Sequence, residues 1–284
     1  MRQMADGVQV RPMRPADYEP AWQAILAGGW GDRRLTLGFY LRYPPADLFV
    51  AEAPDGAIVG TASAVRHAET GWIGLVFVAP ALRGHGLGRR LTVAALERLQ
   101  DLDCRSILLA ASALGRPIYE RLGFRADGGY TALHRASAGL AVPTQPDVRR
   151  LGAADLEALS RLDRQASGED RHVALETLAL TDGQAWVLGP PGTVRGYALR
   201  TSWGLGPAVA EDPLDGQTLL DVLLHQPWTA PQVSVTVPTD NAVARAHLTR
   251  LGFTERDSLP RMVLGDPVPW RPQTMWAIFN FAMG

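Results

Sequence analysis

The residues best suited to chemistry lie in one run, Val78-Ala79-Pro80-Ala81-Leu82-Arg83-Gly84-His85-Gly86-Leu87-Gly88-Arg89-Arg90-Leu91. An apolar strand pattern ends at a proline, and a glycine-rich turn then enters a helical pattern. Glycine lets backbone N–H groups turn toward a ligand without Cβ collisions. At a helix N-terminus those groups form the positive end of the macrodipole and favour an anion. Arg83, Arg89 and Arg90 add full positive charges, so the run is built to hold a pyrophosphate. Other loops of this character fit less well. A P-loop needs Gly-Lys-Ser/Thr, and all 28 basic residues of this chain are arginine. A Rossmann G-x-G-x-x-G fingerprint fails at Arg89, where its third glycine belongs. A purely structural turn leaves the arginines without a purpose.

The elements that position this loop alternate between strand and helix. Val8 to Arg11 reads as a strand, and Arg14-Pro15-Ala16-Asp17 opens an amphipathic helix reaching Leu26. A loop with Gly28, Gly29, Trp30 and Gly31 precedes a helical stretch from Leu35 to Leu41. Leu48 to Ala53 and Ala57 to Arg66 form a hairpin around Pro54-Asp55-Gly56. Trp72 to Val78 is a buried strand, Gly86 to Gln100 a helix, and Ser106 to Ala110 a strand. Pro117 to Leu122 is a helix stopped at Gly123, and Tyr130 to His134 is expected to close the sheet.

Ala136 to Asp147 reads as a linker, and the order then recurs. A strand near Val148 leads to helices at Ala154 to Arg164 and His172 to Leu180. Strands at Ala185 to Leu188, Val194 to Thr201 and Pro207 to Ala210 follow. A helix from Thr218 to His225, a strand from Val233 to Val237 and a helix from Ala242 to Leu251 complete the pattern. The recurrence is also literal: Arg116 to Arg125 reads RPIYERLGFR, and Arg245 to Thr254 reads RAHLTRLGFT. One repeat at this period indicates a duplicated domain. The chain of 284 residues has room for two domains, each of about 140 residues.

The composition is 46% hydrophobic and 20% charged, with a net charge of -1, as in soluble, well-packed proteins. That balance does not recommend nucleic acid as a partner. The single cysteine, Cys104, excludes an internal disulfide and a thiolate metal site, and no metal is expected. No run approaches a membrane span and the first residues contain no apolar signal core. A cytoplasmic protein without a membrane partner is the expectation.

Val78, Pro80 and Arg83-Gly84-His85-Gly86-Leu87-Gly88 resemble the acetyl-CoA signature of the GNAT superfamily of N-acetyltransferases, in which R/Q-x-x-G-x-G/A wraps the CoA pyrophosphate. The order of elements from residue 8 to 134 is also similar to that family. Gly206-Pro207, Asn241, Leu251-Gly252-Phe253 and Arg261-Met262 carry a looser likeness to the second domain of tandem members. The resemblance implies an α/β protein of two GNAT-like domains, each a mixed, mostly antiparallel twisted sheet flanked by helices. Residues 1–140 would be catalytic, 147–266 a degenerate copy, and 267–284 an apolar tail serving as a last strand or plug, or anchoring a hydrophobic partner.

The implied activity is transfer of acetyl from acetyl-CoA to a primary amine, small or peptide; direct attack in a ternary complex is expected because the only cysteine, Cys104, lies on a helix-to-strand turn remote from the loop. By the same resemblance, Phe77 and Val78 contact the pantetheine arm through the backbone, a backbone N–H there polarises the thioester oxygen, and Arg83, Gly84, His85, Gly86, Leu87, Gly88 and Arg89 hold the pyrophosphate. Ser112 and Arg116 are further cofactor contacts. Tyr119 matches the tyrosine that protonates the departing thiolate. The chain departs from the family where many members carry a glutamate on the strand before the loop, since Trp72 to Val78 contains no carboxylate. His67 and Glu69 are the nearest titratable groups; a water chain or an amine arriving neutral would also serve. Tandem relatives often carry an acid at the position of Ala110, so the acceptor is open. Trp30, Asp32, Arg33, Phe39 and Tyr43 are candidate acceptor walls.

In the second half the phosphate loop is replaced by Val209-Ala210-Glu211-Asp212-Pro213-Leu214-Asp215-Gly216-Gln217. Asp212 and Asp215 cap a helix themselves and repel a pyrophosphate, and the Tyr119 position is Leu248. This half is expected to be an acceptor wall, a stability partner or a homodimer surface. A non-enzymatic acyl-CoA-binding sensor is the alternative to an enzyme. Acyl transfer from aminoacyl-tRNA finds no broad basic surface in the composition.

Overall fold

The computed structural model describes residues 7–137, 147–182, 184–201, 203–225 and 232–284. The expected linker therefore lies largely outside the described residues. The chain forms two compact units. The first comprises residues 1–125, 263–266 and 283; the second comprises 126–262, 267–282 and 284.

The first unit carries strands β1 (Gln9–Pro12), β2 (Ala46–Glu52), β3 (Ile58–His67), β4 (Thr70–Val78) and β5 (Ser106–Ala110). β1 to β4 pair antiparallel in sequence order, whereas β4 and β5 run parallel. Beyond β5 the sheet is completed by Val263–Asp266: Ser106 Oγ donates to the Asp266 carbonyl (2.9 Å). Helices α1 (Tyr18–Ala27), α2 (Arg34–Tyr40), α3 (Leu87–Asp101) and α4 (Arg116–Arg121) complete the unit.

α3 forms because Leu87, Leu91, Ala95 and Leu99 recur every four residues and make one apolar stripe, each at most 1% exposed. The sheet meets that stripe with small residues. A Cβ on Gly60 would lie 2.9 Å from Leu91, and one on Gly71 would lie 2.7 Å from Leu99. Alternation along β3 puts Gly60, Ala62 and Ala64 on that face, and Thr61, Ser63 and Val65 on the other.

The second unit contains β6 (Arg125–Ala136) from its second residue on, β7 (Val148–Arg150), β8 (Gln184–Leu188), β9 (Gly196–Thr201), β10 (Gly204–Ala210) and β11 (Gln232–Pro238). β12 (Thr254–Gly265) lies here up to Met262, and β13 (Met275–Ala277) belongs here too. The strand order is β7-β8-β9-β10-β11-β6-β12, with β13 on β10. Tyr130 to His134, expected to close the first sheet, instead pairs antiparallel with Pro238 to Ser234 of the second unit. β12 was not anticipated. Helices α5 (Leu156–Ser167), α6 (His172–Thr177), α7 (Pro213–His225) and α8 (Ala242–Arg250) follow the expected pattern. The core gathers Leu219, Leu220, Leu223 and Leu224 of α7 against Val233, Val235 and Val237 of β11, with Leu248 and Trp276.

The duplication is visible in an ion pair ahead of the first helix of each unit. Arg11 forks onto Asp17 (2.6 and 2.8 Å), whose carboxylate also accepts the Arg14 N–H at 2.7 Å. Arg149 forks onto Asp155 (2.6 and 2.7 Å), which accepts the Gly152 N–H at 2.9 Å. Both aspartates are held below the usual carboxylate range, chiefly by the arginine hydrogen bonds. Each pair ties the strand that precedes the unit's first helix to the entry of that helix.

Candidate cofactor cleft and active site

β4 and β5 pair only from Thr70↔Ser106 to Trp72↔Leu108. Beyond that point β4 continues along β3 through Val78, and its other edge is not paired with β5. A V-shaped opening therefore lies between two parallel strands, with free backbone groups on the β4 side. The β3–β4 register slips by one residue between Thr61↔Phe77 and Ser63↔Gly74, which places a bulge on β4. Leu75 takes the left-handed conformation there (φ 48°), and Thr61 Oγ1 holds its carbonyl at 2.8 Å. A bulge turns backbone groups out of the ladder, here at the mouth of the opening.

β4 leads through a 3-10 turn, Pro80–Leu82, into the glycine loop. Gly84 (φ 81°) and Gly86 (φ 79°) are left-handed, and a Cβ on either would meet nothing within 4 Å. Packing therefore does not demand these glycines; the backbone path does, and the space over them is open. Gly86 caps α3 without a side chain, and the first turn contains no acid. The N–H groups at this helix start are left for an external acceptor. Arg83 and Arg89 are exposed; Arg83 Nε donates to the Val78 carbonyl at 3.1 Å. Arg90 reaches instead to the Val8 carbonyl (2.7 Å) and braces β1. Leu87 is buried, anchoring the loop from below, and His85 is half-buried. Open space, uncapped N–H groups and two exposed arginines fit an anionic group of pyrophosphate size.

Tyr119 on α4 is 6% exposed. Burial pushes its phenol up to about 12, with the Thr92 hydroxyl pulling the other way. Thr92 in turn donates to the Gly88 carbonyl at 2.8 Å, so the phenol lies one helical turn beyond the loop. Gly115 is required for that position, since a Cβ there would lie 2.7 Å from the Tyr119 ring. Ser112 Oγ accepts the Gly115 N–H (3.2 Å), and Arg116 pairs with Glu120 (2.7 Å) at half-exposed positions. Both are engaged within their own turn.

On the opposite face of the sheet, Phe77 is fully buried and meets Trp30 edge-on at 5.5 Å. Tyr43 stacks on Phe39 at 5.0 Å. The Tyr43 and Ser63 hydroxyls are buried with no hydrogen-bond partner among the described residues. Ser63 escaped the sequence reading, although the polar alternation Thr61-x-Ser63 in an otherwise apolar strand was the available signal. Asp32 is spoken for by the Trp22 indole and the Arg34 N–H, both at 2.8 Å.

His67 pairs with Thr70 at the far end of β3, four residues, or ~13 Å of strand, from the bulge. It is buried, with Nε2 on the Met283 carbonyl at 3.1 Å. Glu69 is exposed in the same turn, 3.6 Å from Arg105. Neither reaches the bulge directly. Cys104 is buried on the turn before β5, and burial raises its thiol.

In the second unit Asp212 accepts the N–H groups of Leu214 (2.7 Å) and Asp215 (3.4 Å) at the start of α7. Asp215 is paired with Arg195 at 3.1 Å. Leu248, at the Tyr119 position, is fully buried. Among the described residues no group of side chains could hold a metal ion, and no helix is long and apolar enough to cross a membrane.

Comparison with known proteins agrees with this geometry. Acetyltransferase (GNAT) domains match residues 44–126 and 159–277, together more than half of the chain. A mycothiol acetyltransferase of Pseudarthrobacter chlorophenolicus is 31% identical over 140 residues, 43% of this chain and 43% of that protein. One of Thermomonospora curvata is 32% identical over 133 residues, 42% of this chain and 44% of its own length. The chain thus matches less than half the length of these curated relatives. A putative acetyltransferase from Pyrococcus horikoshii superposes with a TM-score of 0.84 at 20% identity, over 98% of this chain and 96% of its own. A tandem GNAT protein from the clavulanic acid biosynthesis pathway gives 0.65 at 16% identity, over 92% and 100%. Both structures share the fold. With two matching domains on one chain and a splayed strand pair leading into an uncapped glycine loop, the protein belongs to the GNAT acetyltransferase superfamily, as a tandem-domain member.

Proposed function

We propose that the first unit transfers acetyl from acetyl-CoA to a primary amine, by direct attack while both are bound. The observation that carries this reading is the open edge of β4 beyond Trp72 running into an anion-ready helix start. Acetyl-CoA supplies an acetyl thioester when bound. The N–H groups of Gly84 to Arg89, with Arg83 and Arg89, hold its pyrophosphate, and the free edge at Phe77 and Val78 takes the pantetheine amides. The bulge directs a backbone N–H toward the thioester oxygen, where a preorganised donor is most effective. Ser112 and Arg116 act once released from their present partners.

Tyr119 serves as hydrogen-bond donor to the departing sulfur. Its phenol, near 12, remains protonated at neutral pH. A thiol titrates near ~8.5, so full proton transfer from the phenol is uphill. Tyr119 therefore stabilises the sulfur as charge develops. No carboxylate on β4 can deprotonate the amine, which either arrives neutral or loses its proton through water. Asp212 and Leu248 leave the second unit without a chemical role.

The test is calorimetric titration with acetyl-CoA, followed by thiol release against an amine panel that includes amino sugars, amino acids and peptide N-termini. The mycothiol acetyltransferase name of the relatives puts amines on small polar thiols in that panel. One site per chain with thiol release on one amine class is expected; no binding refutes the reading. The missing carboxylate favours a second reading, an acyl-CoA-binding sensor, which binding without thiol release on any amine would support.

A further inference from the structure

The second unit has its own parallel strand pair with a narrow contact: β10 and β11 meet only at Leu205↔Val235. The opening beyond it is not empty. β13 runs antiparallel to β10 with Ala208 opposite Ala277 and Val209 opposite Met275, and the Ile278 N–H donates to the Thr236 carbonyl of β11 at 3.0 Å. A single extended segment thus bridges both arms of the splay.

The parallel with the first unit extends to individual atoms. There, the carbonyl that ends the loop-leading strand, Val78, is held by Arg83 of the phosphate loop. Here, the carbonyl that ends β10, Ala210, is held by the indole Nε1 of Trp276 at 3.2 Å. The Trp276 ring lies against the first turn of α7, where a Cβ on Gly216 would sit 1.8 Å from it. In the aligned RPIYERLGFR and RAHLTRLGFT repeats, Ser112 and Asn241 each stand four residues before the first arginine. Asn241 caps α8 through Oδ1, accepting the Ala244 N–H at 2.9 Å. With Nδ2 it donates to the backbone carbonyls of Gln273 (3.1 Å) and Met275 (2.9 Å).

We propose that Arg271–Phe279 is a resident ligand of the second unit's cofactor cleft, and that this cleft accepts an extended peptide with a central tryptophan and not an acyl-CoA. Backbone pairing along β10, a carbonyl acceptor at the strand end, a flat space over the helix start and an amide clamp after β11 are the contacts a pantetheine arm would need. The tail satisfies all of them. The acids at 212 and 215 replace the anion site, so opening the cleft does not create one. The equivalence of the two clefts rests on the repeated fold; the name cofactor cleft rests on the function proposed above.

The test begins with the full chain, folded with its tail. A specific protease site is inserted between the exposed Asp266 and Pro267, and the purified protein is cleaved. Fragment 267–284 is expected to stay bound through native gel filtration and to exchange with a labelled synthetic copy. A Trp276→Ala copy should compete roughly 10²-fold more weakly, as for loss of a fully buried tryptophan. Equal competition by that copy, or a fragment that never rebinds, overturns the proposal. Should the fragment prove inseparable from the folded protein, hydrogen exchange decides. In the intact chain Trp276→Ala should speed exchange at the amides of β10 and β13 and leave β3 and β4 unchanged; unchanged exchange at β13 refutes the proposal. Acetyl-CoA stoichiometry is read separately. It should be the same before and after fragment removal, and a site gained on removal would mean that the cleft takes the cofactor. Peptide exchange needs no acetyl-CoA, so failure of the acetyltransferase reading leaves this measurement interpretable.

Discussion

Two substitutions at Gly86 separate backbone geometry from charge in the proposed pyrophosphate site. Gly86 sits at φ 79° with nothing within 4 Å of its missing Cβ, so alanine there meets no clash and only the left-handed strain remains. That strain is about 1–2 kcal/mol, or roughly tenfold in affinity if the loop relaxes by turning its N–H groups away. Glutamate adds the same strain and a carboxylate beside the bound phosphates. For one charge ~6 Å from two, the repulsion is about 1.5 kcal/mol at a dielectric of ~80 and about 5.5 at ~20. Gly86→Glu should therefore weaken acetyl-CoA by roughly 10²-fold beyond Gly86→Ala at low salt. The assay is calorimetry with both variants at ~0.05 and ~0.5 M salt, where the Debye length shrinks severalfold. The extra loss in the glutamate variant should shrink with salt, whereas the alanine loss should not. Equal affinities for alanine and glutamate, or no loss in either, would refute the assignment of this helix start to an anion.

Tyr119→Phe should lower kcat roughly 10²-fold and leave acetyl-CoA affinity nearly unchanged; unchanged kinetics removes the phenol from the mechanism. Because burial raises that phenol to about 12, it stays protonated below that value, and the wild-type rate should rise with pH as the amine deprotonates, without a falling limb below pH ~10. Gly28→Ala should destabilise the first unit by about 1–3 kcal/mol and raise the acceptor KM, because its Cβ would lie 2.3 Å from the Phe77 ring; thermal unfolding and steady-state kinetics read the two effects. Asp155 and Asp17 are held below the usual range by their arginines. Their contribution is therefore complete above the ordinary carboxylate pKa of ~4 and lost as pH falls through the lowered value. Asp155→Asn should lower the melting temperature at pH 7 and flatten its decline toward pH 3; an unaltered acid limb would contradict the linkage.

The local elements were legible because their signals are local. The stripe at Leu87, Leu91, Ala95 and Leu99 specifies α3 wherever its partners lie, and Pro54-Asp55-Gly56 specifies a turn. The glycine loop was legible for a different reason: glycines and arginines stand between a strand and a helix where a stable helix start would carry a capping side chain. What escaped was long-range. Nothing in the alternation of Tyr130 to His134 says that these residues pair with Pro238 to Ser234, because strand pattern fixes a face and not a neighbour. The strand from Thr254 to Gly265 lacked a clean period, with exposed Glu255, Arg256 and Asp257 at its start. The bulge at Leu75 was hidden because leucine is a poor advertisement for a left-handed backbone. The Arg11–Asp17 and Arg149–Asp155 pairs stand in both halves at the same spacing of six, but a charge pair at that spacing has meaning only once a strand and a helix entry bring it together.

The two units use the same scaffold and differ where the first accepts a cost. An uncapped helix start forgoes about 1 kcal/mol of capping, and two left-handed glycines add unfolded-chain entropy that folding must overcome. The first unit carries these costs at Gly84 and Gly86, together with a strand edge not paired with β5 and the exposed Arg83 and Arg89 of the loop. At the corresponding place the second unit carries none of them: Asp212 caps α7, Arg195 neutralises Asp215, and Trp276 and β13 fill the splay. With its own tail in place and its helix start capped, that cleft has nothing left with which to bind an acyl-CoA. Local instability that the surrounding core tolerates marks where a ligand completes the structure, and in this chain such points converge on the opening between β4 and β5.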